Sequence, residues 1–206
     1  VIFMYQVILF DLGGVVTETK FDRVLNKYTQ RYDWDLEKLK KNIFSDEYLA
    51  LLAGEIDLNQ FTNWLTDKIP NLSAQKLQDF VEEYYYSEET KEEVIDLLSE
   101  IDTSYQLGLV TNDIGRLNNK LSYLDLLGIF DKIINSSQVG YCKPQVEIYQ
   151  AALDQFDVAA EKVIYIDNDP VCLENAASLG IETIEFNNYQ QLEQELNNLG
   201  IIRRAG

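Results

Sequence analysis

Histidine is absent from all 206 residues. Ser-His-Asp and Cys-His catalysis are excluded with it, as is every metal site that needs an imidazole. Chemistry in this chain rests on carboxylates, hydroxyls, amides and lysines. Cysteine is almost as scarce: Cys142 and Cys172 fit no zinc or redox spacing, so a reducing, cytoplasmic compartment is expected. Positive charge is also short, 17 Lys and Arg against 35 Asp and Glu, a net charge of -18. Such a field repels nucleic-acid backbones and anionic membranes, so neither is expected as a partner. The longest apolar start, residues 1–10, is too short to span a bilayer and lacks a basic leader and a cleavage site. It reads as a buried strand. Proline is limited to three residues, and no flexible Pro/Gly/Ser linker is present.

What is present is the composition of an ordinary globular chain, 46% hydrophobic and 25% charged, which excludes global disorder. Short apolar runs bounded by turn signals recur at 7–10, 107–110, 132–134, 163–166 and 182–186. Helical patterns separate the later ones, at 114–127, at 145–156 behind Pro144, and at 170–179 closed by Gly180; another follows at 189–199. Strand alternating with helix predicts an α/β fold with a doubly wound, parallel, Rossmann-like sheet.

Residues 21–86 break that rhythm with successive amphipathic helices. Leu36, Leu39 and Ile43 form one stripe; Asp57 caps a helix carrying Phe61, Leu65 and Ile69; Ser73 caps one carrying Leu77, Phe80, Val81 and Tyr84. A helix at 88–101 then leads back to the sheet. An α-helical cap subdomain at 17–87, inserted into a core of 1–16 and 88–206, is the expected organisation.

Ligands of doubly wound sheets bind at the carboxyl ends of the strands. The residues placed there are Asp11-Leu12-Gly13-Gly14, Thr111-Asn112-Asp113, Lys143 beyond the third strand, and Asp167-Asn168-Asp169. Four loops thus deliver a carboxylate, a hydroxyl, an ammonium and an acidic cluster to one edge. The segments VILFDLGGVV at 7–16, LGLVTN at 107–112, CKPQVEIY at 142–149 and VIYIDNDPVCLENAASLG at 163–180 resemble, in order and spacing, the four motifs of the haloacid dehalogenase-like hydrolases. The helical insert is similar to the cap of that superfamily's subclass I. The FDLG and KPxxxIY readings are similar to those of small bacterial sugar-phosphate phosphatases, including the glucose-1-phosphatase-like branch.

The resemblance implies a small phosphorylated substrate, Mg²⁺ as cofactor and Asp11 as nucleophile. A carboxylate at a strand end facing backbone donors can form an aspartyl-phosphate and split one hard step into two. Gly13 and Gly14 permit close approach and positive φ, so that amides from Leu12 to Gly14 cradle a phosphoryl group. By the resemblance Thr111 donates its hydroxyl to a phosphoryl oxygen, beside the Asn112 amide. Lys143 offsets the charge of nucleophile and phosphoryl group. Mg²⁺ is expected on Asp11, the Gly13 carbonyl and Asn168, with Asp167 or Asp169 acting directly or through water.

Two positions depart from the family's pattern. Asn168 stands where active members carry a metal-binding Asp, and a neutral amide is a weaker ligand for a hard cation, so reduced affinity is expected. Gly13 stands where most members have an acid-base Asp, whose loss typically costs on the order of 10² to 10⁴ in rate. Sugar 1-phosphates and acyl phosphates, with less basic leaving oxygens, lose least. Asp22 or Glu18 of the cap are candidate substitutes for the acid. Metal-independent 2-haloacid dehalogenase chemistry and a pseudo-hydrolase that binds a phosphorylated ligand or partner without turnover are the alternatives. Tyr84, Tyr85, Tyr86, Trp34 and Trp64 are candidates to line a substrate pocket or to fill the cap's core. Arg23 and Arg31 are the cap cations best able to reach an anion, and Gly54-Glu55 forms a turn directed toward the site. A monomer or a dimer is expected.

Overall fold

Strand β1 (Val7–Phe10) is buried along its whole length, as a central strand of a two-faced sheet must be. A computed structural model describes residues 4–202; Val1, Ile2 and Phe3 of the first apolar run and residues 203–206 lie outside the described part. After β1 the chain enters a short strand, β2 (Thr17–Glu18), and then five helices: α1 (Phe21–Tyr32), α2 (Leu36–Ile43), α3 (Asp46–Leu52), α4 (Leu58–Lys68) and α5 (Ala74–Tyr85). It returns through β3 (Glu89–Thr90) and α6 (Glu92–Glu100). The remainder alternates: β4 (Gln106–Thr111), α7 (Leu117–Tyr123), β5 (Lys132–Asn135), the single turn α8 (Ser136–Val139), α9 (Val146–Phe156), β6 (Val163–Asp167), α10 (Pro170–Ala177), β7 (Glu182–Glu185) and α11 (Tyr189–Asn198).

The main sheet has five strands in the order β5-β4-β1-β6-β7, and the pairs between neighbours are parallel. Alternate residues of β1 serve opposite faces. Ile8 and Phe10 pack with Val94, Leu97, Leu121 and Leu192; Val7 and Leu9 pack with Ile148, Tyr149, Cys172 and Ala176. Full burial of each such aliphatic or aromatic side chain contributes about 1.5–3 kcal/mol. Phe10 aligns with Leu109 on one side and Ile166 on the other, so the residues that follow β1, β4 and β6 emerge at one level of one edge.

The cap has its own core, in which Leu25, Leu39 and Leu65 are fully buried with Tyr28, Phe61 and Phe80. Its helix starts are chemically marked. Asp35, Ser45, Asp57 and Ser73 each accept a hydrogen bond from a first-turn amide, and Asp57 with Gln60 completes a reciprocal capping box. Helices α1 and α3 add to the three legible as stripes. The expected helix at 114–127 is only Leu117–Tyr123, because Gly115 takes a left-handed conformation and the Asp113 carboxylate accepts from the Arg116 amide, turning the chain first. The helix expected from residue 88 begins at Glu92, since Glu89 and Thr90 pair antiparallel with Glu18 and Thr17. Two-residue strands leave no periodic trace in a sequence.

Cap and core meet at two places. Tyr85 donates to the Asp113 carboxylate, and Arg116 pairs with Glu82 at 2.6 Å. Elsewhere Gly54, at φ +72°, lies so close to α8 that a Cβ there would stand 2.3 Å from the Ser137 carbonyl oxygen. Gly54→Ala is therefore expected to weaken cap docking by about 1–3 kcal/mol. Hydrogen exchange in α3 and α8 should accelerate about tenfold or more while the β1 and β6 amides keep their protection. Among the described residues no helix is long and apolar enough to cross a membrane, and both cysteines are free and buried.

Candidate active site

Asp11 leaves the sheet as the first residue after β1, with its own amide still bonded to the Ile166 carbonyl at 2.9 Å. The residue is 7% exposed. Oδ1 accepts from the Leu12 amide at 2.7 Å and from Lys143 Nζ at 2.6 Å. Lys143 reaches the same point from the loop before α9 and also donates to Asp167 Oδ2 at 2.9 Å. Two strand ends and one distant loop thus converge. Burial pushes the Asp11 carboxyl up to about 6, against the pull of Lys143 and with a further push from Asp167, which leaves it ionised at neutral pH. Burial alone would lower the Lys143 ammonium, but Asp11 and Asp167 together hold it above its usual range.

Tyr165, and the side-chain role of Asn112, which was expected to act through its backbone amide, escape a reading of the sequence. The Asn112 side chain accepts from the Lys143 amide at 2.8 Å and donates to the Lys143 carbonyl at 3.0 Å, fixing the backbone that carries the ammonium. Tyr165 donates its phenol to Asp167 Oδ2, while Asp167 Oδ1 accepts from the Asp169 amide at 2.8 Å. The signal for Tyr165 was available. It interrupts an aliphatic strand two residues before Asp167, hence on the same face of β6. Asn112 gave none, because pairing with a residue 31 positions away has no local period.

Thr111 ends β4, is 4% exposed, and its hydroxyl lies 3.4 Å from the Asn112 carbonyl. Of the two glycines after the nucleophile, only Gly14 has a positive φ, +98°; Gly13 does not, contrary to expectation. At Gly14 a Cβ would stand 2.5 Å from Asn168 Oδ1, so the bare backbone makes room for that amide against the nucleophile loop. Asp169 caps α10 by accepting from the Val171 amide.

The cap candidates are redistributed. Trp34 is 5% exposed within the cap core and Trp64 packs against that same core. Tyr85 is buried on Asp113, Tyr84 packs against the cap core, and Tyr86 is exposed against Tyr123. Arg31 lies over the Tyr32 ring and Arg23 is on the surface. Glu18 and Asp22 are exposed and pair with Lys20 and Lys40. The turn at Gly54 faces a cavity of about 560 Å³ whose lining includes Arg116, Asn118, Asn119, Asn135 and Ser137. Asn135 pairs with Thr111 across the sheet, so the cavity opens one strand beyond the site.

The donor set fits a hard divalent cation. Asp11 and Asp167 outnumber Lys143, so the site carries excess negative charge, and a phosphoryl group adds more. A magnesium ion held by oxygen ligands offsets that charge. Were such an ion bound, the Asp11 carboxylate, the Gly13 carbonyl and the Asn168 amide oxygen would be the oxygens to hold it, since Asp167 is occupied by Lys143, Tyr165 and Asp169.

Comparison with known proteins gives a consistent picture. A family model described as haloacid dehalogenase-like hydrolase matches residues 8–186. The phosphorylated carbohydrates phosphatase of Thermotoga maritima is 27% identical over 87% of this chain and 83% of its own length. The glyceraldehyde 3-phosphate phosphatase of Methanothermobacter thermautotrophicus is 25% identical over 78% of this chain and 65% of its own. Among solved structures, a HAD family enzyme from Bacteroides thetaiotaomicron in complex with magnesium and inorganic phosphate superposes with a TM-score of 0.76. That match is 17% identical and covers 91% of this chain and 98% of that one, a likeness of fold.

Proposed function

The chain belongs to the haloacid dehalogenase-like hydrolases, and from that membership we propose that it removes phosphate from a small phosphorylated metabolite, a sugar or acyl phosphate, through a covalent phosphoryl group on Asp11. The observation that carries this reading is the buried Asp11 carboxylate, held at 2.6 Å by Lys143 and at 2.7 Å by the Leu12 amide at the mouth of the central strand. Those two bonds fix one oxygen and leave Oδ2 to attack phosphorus. Lys143, itself aimed by Asn112 and Asp167, sits where charge develops on the transferring group. Thr111 and the amides of the Gly13-Gly14 loop bind the remaining phosphoryl oxygens. Mg²⁺ on Asp11, the Gly13 carbonyl and Asn168 supplies neutralisation of phosphoryl charge. The amide and hydroxyl groups of the cavity beyond Thr111 suit a hydroxylated substrate body. The relatives named above as phosphatases support the substrate class, and the free cysteines suit a reducing compartment.

Phosphate release from a panel of sugar and acyl phosphates, with and without millimolar Mg²⁺, is the test. Turnover that needs the metal supports the reading. Halide release from a 2-haloacid without metal would replace it with dehalogenation, and ligand binding with no turnover would replace it with a binding role. Asn168→Asp is expected to lower the Mg²⁺ concentration for half-maximal activity roughly tenfold, because a charged ligand replaces a neutral one. An unchanged requirement would remove Asn168 from the metal site.

A further inference from the structure

An alkoxide leaving group needs a proton, and the residue two positions past Asp11 is a glycine that has none to give. The space over that glycine is not empty of acid. Glu88, 2% exposed, places Oε1 3.8 Å from where a Cβ on Gly13 would stand. The same oxygen accepts from the Thr17 hydroxyl at 2.5 Å, and Thr17 Oγ1 lies 3.0 Å from the Leu12 carbonyl, so Glu88 is braced against the nucleophile loop itself. Oε2 pairs with Lys120, which is 8% exposed and also lies over the Tyr85 ring.

A buried ion pair of this kind is weak evidence for stability, since two apolar side chains would brace the joint at least as well. Its location is the informative part. A side chain at position 13 would meet Glu88 Oε1 and, at 3.2 Å, the Thr19 methyl. A carboxylate carried by position 13 would therefore lie beside that of Glu88, and the two would repel.

We propose that Glu88, charged and recharged by Lys120, is the proton-transferring group of the reaction, supplied by the chain's return from the cap rather than by the nucleophile loop. The assignment rests on the phosphatase reading. In the first step the Asp11–phosphorus bond forms and the ester P–O bond breaks. The leaving oxygen takes a proton from the Glu88–Lys120 pair through the Glu88 carboxyl. In the second a water oxygen bonds to phosphorus, the Asp11–phosphorus bond breaks, and the proton released by that water returns to the pair. Atoms and charge balance over the cycle: ester and water give alcohol and phosphate.

The test compares an alkyl phosphate with p-nitrophenyl phosphate, whose leaving oxygen needs no proton, using the full chain in saturating Mg²⁺. Glu88→Gln is expected to slow the alkyl ester about 100-fold or more. It should leave the first-turnover release of p-nitrophenol within a few-fold, followed by slow turnover with phosphate retained on Asp11. Glu88→Gln combined with Gly13→Asp should recover the alkyl ester, because a carboxylate re-enters the space from the other backbone. Equal losses in the first-turnover rate of both esters, no burst, or no recovery overturns the proposal. Should Glu88→Gln fail to fold with Lys120 left unpaired, Glu88→Gln/Lys120→Met removes the stranded charge and is read by the same ratio of esters. Unaltered protein that hydrolyses neither ester refutes the phosphatase reading and this assignment with it. Unaltered protein that hydrolyses both, with a first-turnover ratio the variants do not move, refutes Glu88 alone.

Discussion

Asp11→Asn is expected to lower phosphate release by about 10⁴-fold or more, the scale on which removal of a covalent nucleophile acts. Asparagine preserves the shape of the side chain, and its amide oxygen can keep the bond from the Leu12 amide. Lys143 retains Asp167 as its counterion. The ionised form of Asp11 is disfavoured by its own burial, so a neutral replacement leaves the melting temperature within a few degrees of the unaltered protein. Activity and stability separate at this position, as they do where function demands a charge that packing resists. Colorimetric phosphate release and a thermal melt on the same sample check both halves. Turnover surviving the substitution would remove Asp11 from the chemistry.

Lys143→Met should lose both properties together. The ammonium is the bridge between Asp11 at 2.6 Å and Asp167 at 2.9 Å, and all three groups are buried. Without it two carboxylates face each other in a poorly hydrated space. Breaking a buried pair by deleting one partner costs about 3–5 kcal/mol, which for a chain of this size lowers the melting temperature by about 10 °C. Activity should fall about 10³-fold, in the range lost when a charge-stabilising group is taken from a transition state. Adding Asp11→Asn to Lys143→Met should return part of the lost melting temperature, because the second substitution removes one of the stranded charges. Additive melting losses would mean that Asp11 and Lys143 do not interact as their contact implies.

The parts of the molecule that were legible beforehand are those with local signals. Continuous apolar runs marked β1, β4, β5 and β6, and the capping residues Asp57 and Ser73 marked α4 and α5 where the amides are in fact capped. The convergence of Asp11 and Lys143 followed from strand ends sharing an edge of a parallel sheet. What stayed hidden depends on pairing across sequence distance. Asn112 clasps Lys143, Glu88 answers Lys120 and Thr17, and the β2-β3 ribbon is two residues against two. Glu88 sits among acids that are otherwise surface residues, and only its burial tells it apart. Trp34 and Tyr85 illustrate the converse: aromatic content invited a pocket, whereas ring packing in the cap and a bond to Asp113 account for them.

The ribbon of Thr17–Glu18 against Glu89–Thr90 brings the two ends of the helical insert together. The outgoing and incoming chains run side by side, and every strand of the five-stranded sheet lies outside them. A tight bend joining Glu18 to Glu89 would keep every register of that sheet but would delete Glu88 and leave the buried Lys120 unpaired. A graft spliced at the same two points would have to bring its own carboxylate for Lys120 and Thr17, so an exchange of the insert carries part of the polar network with it.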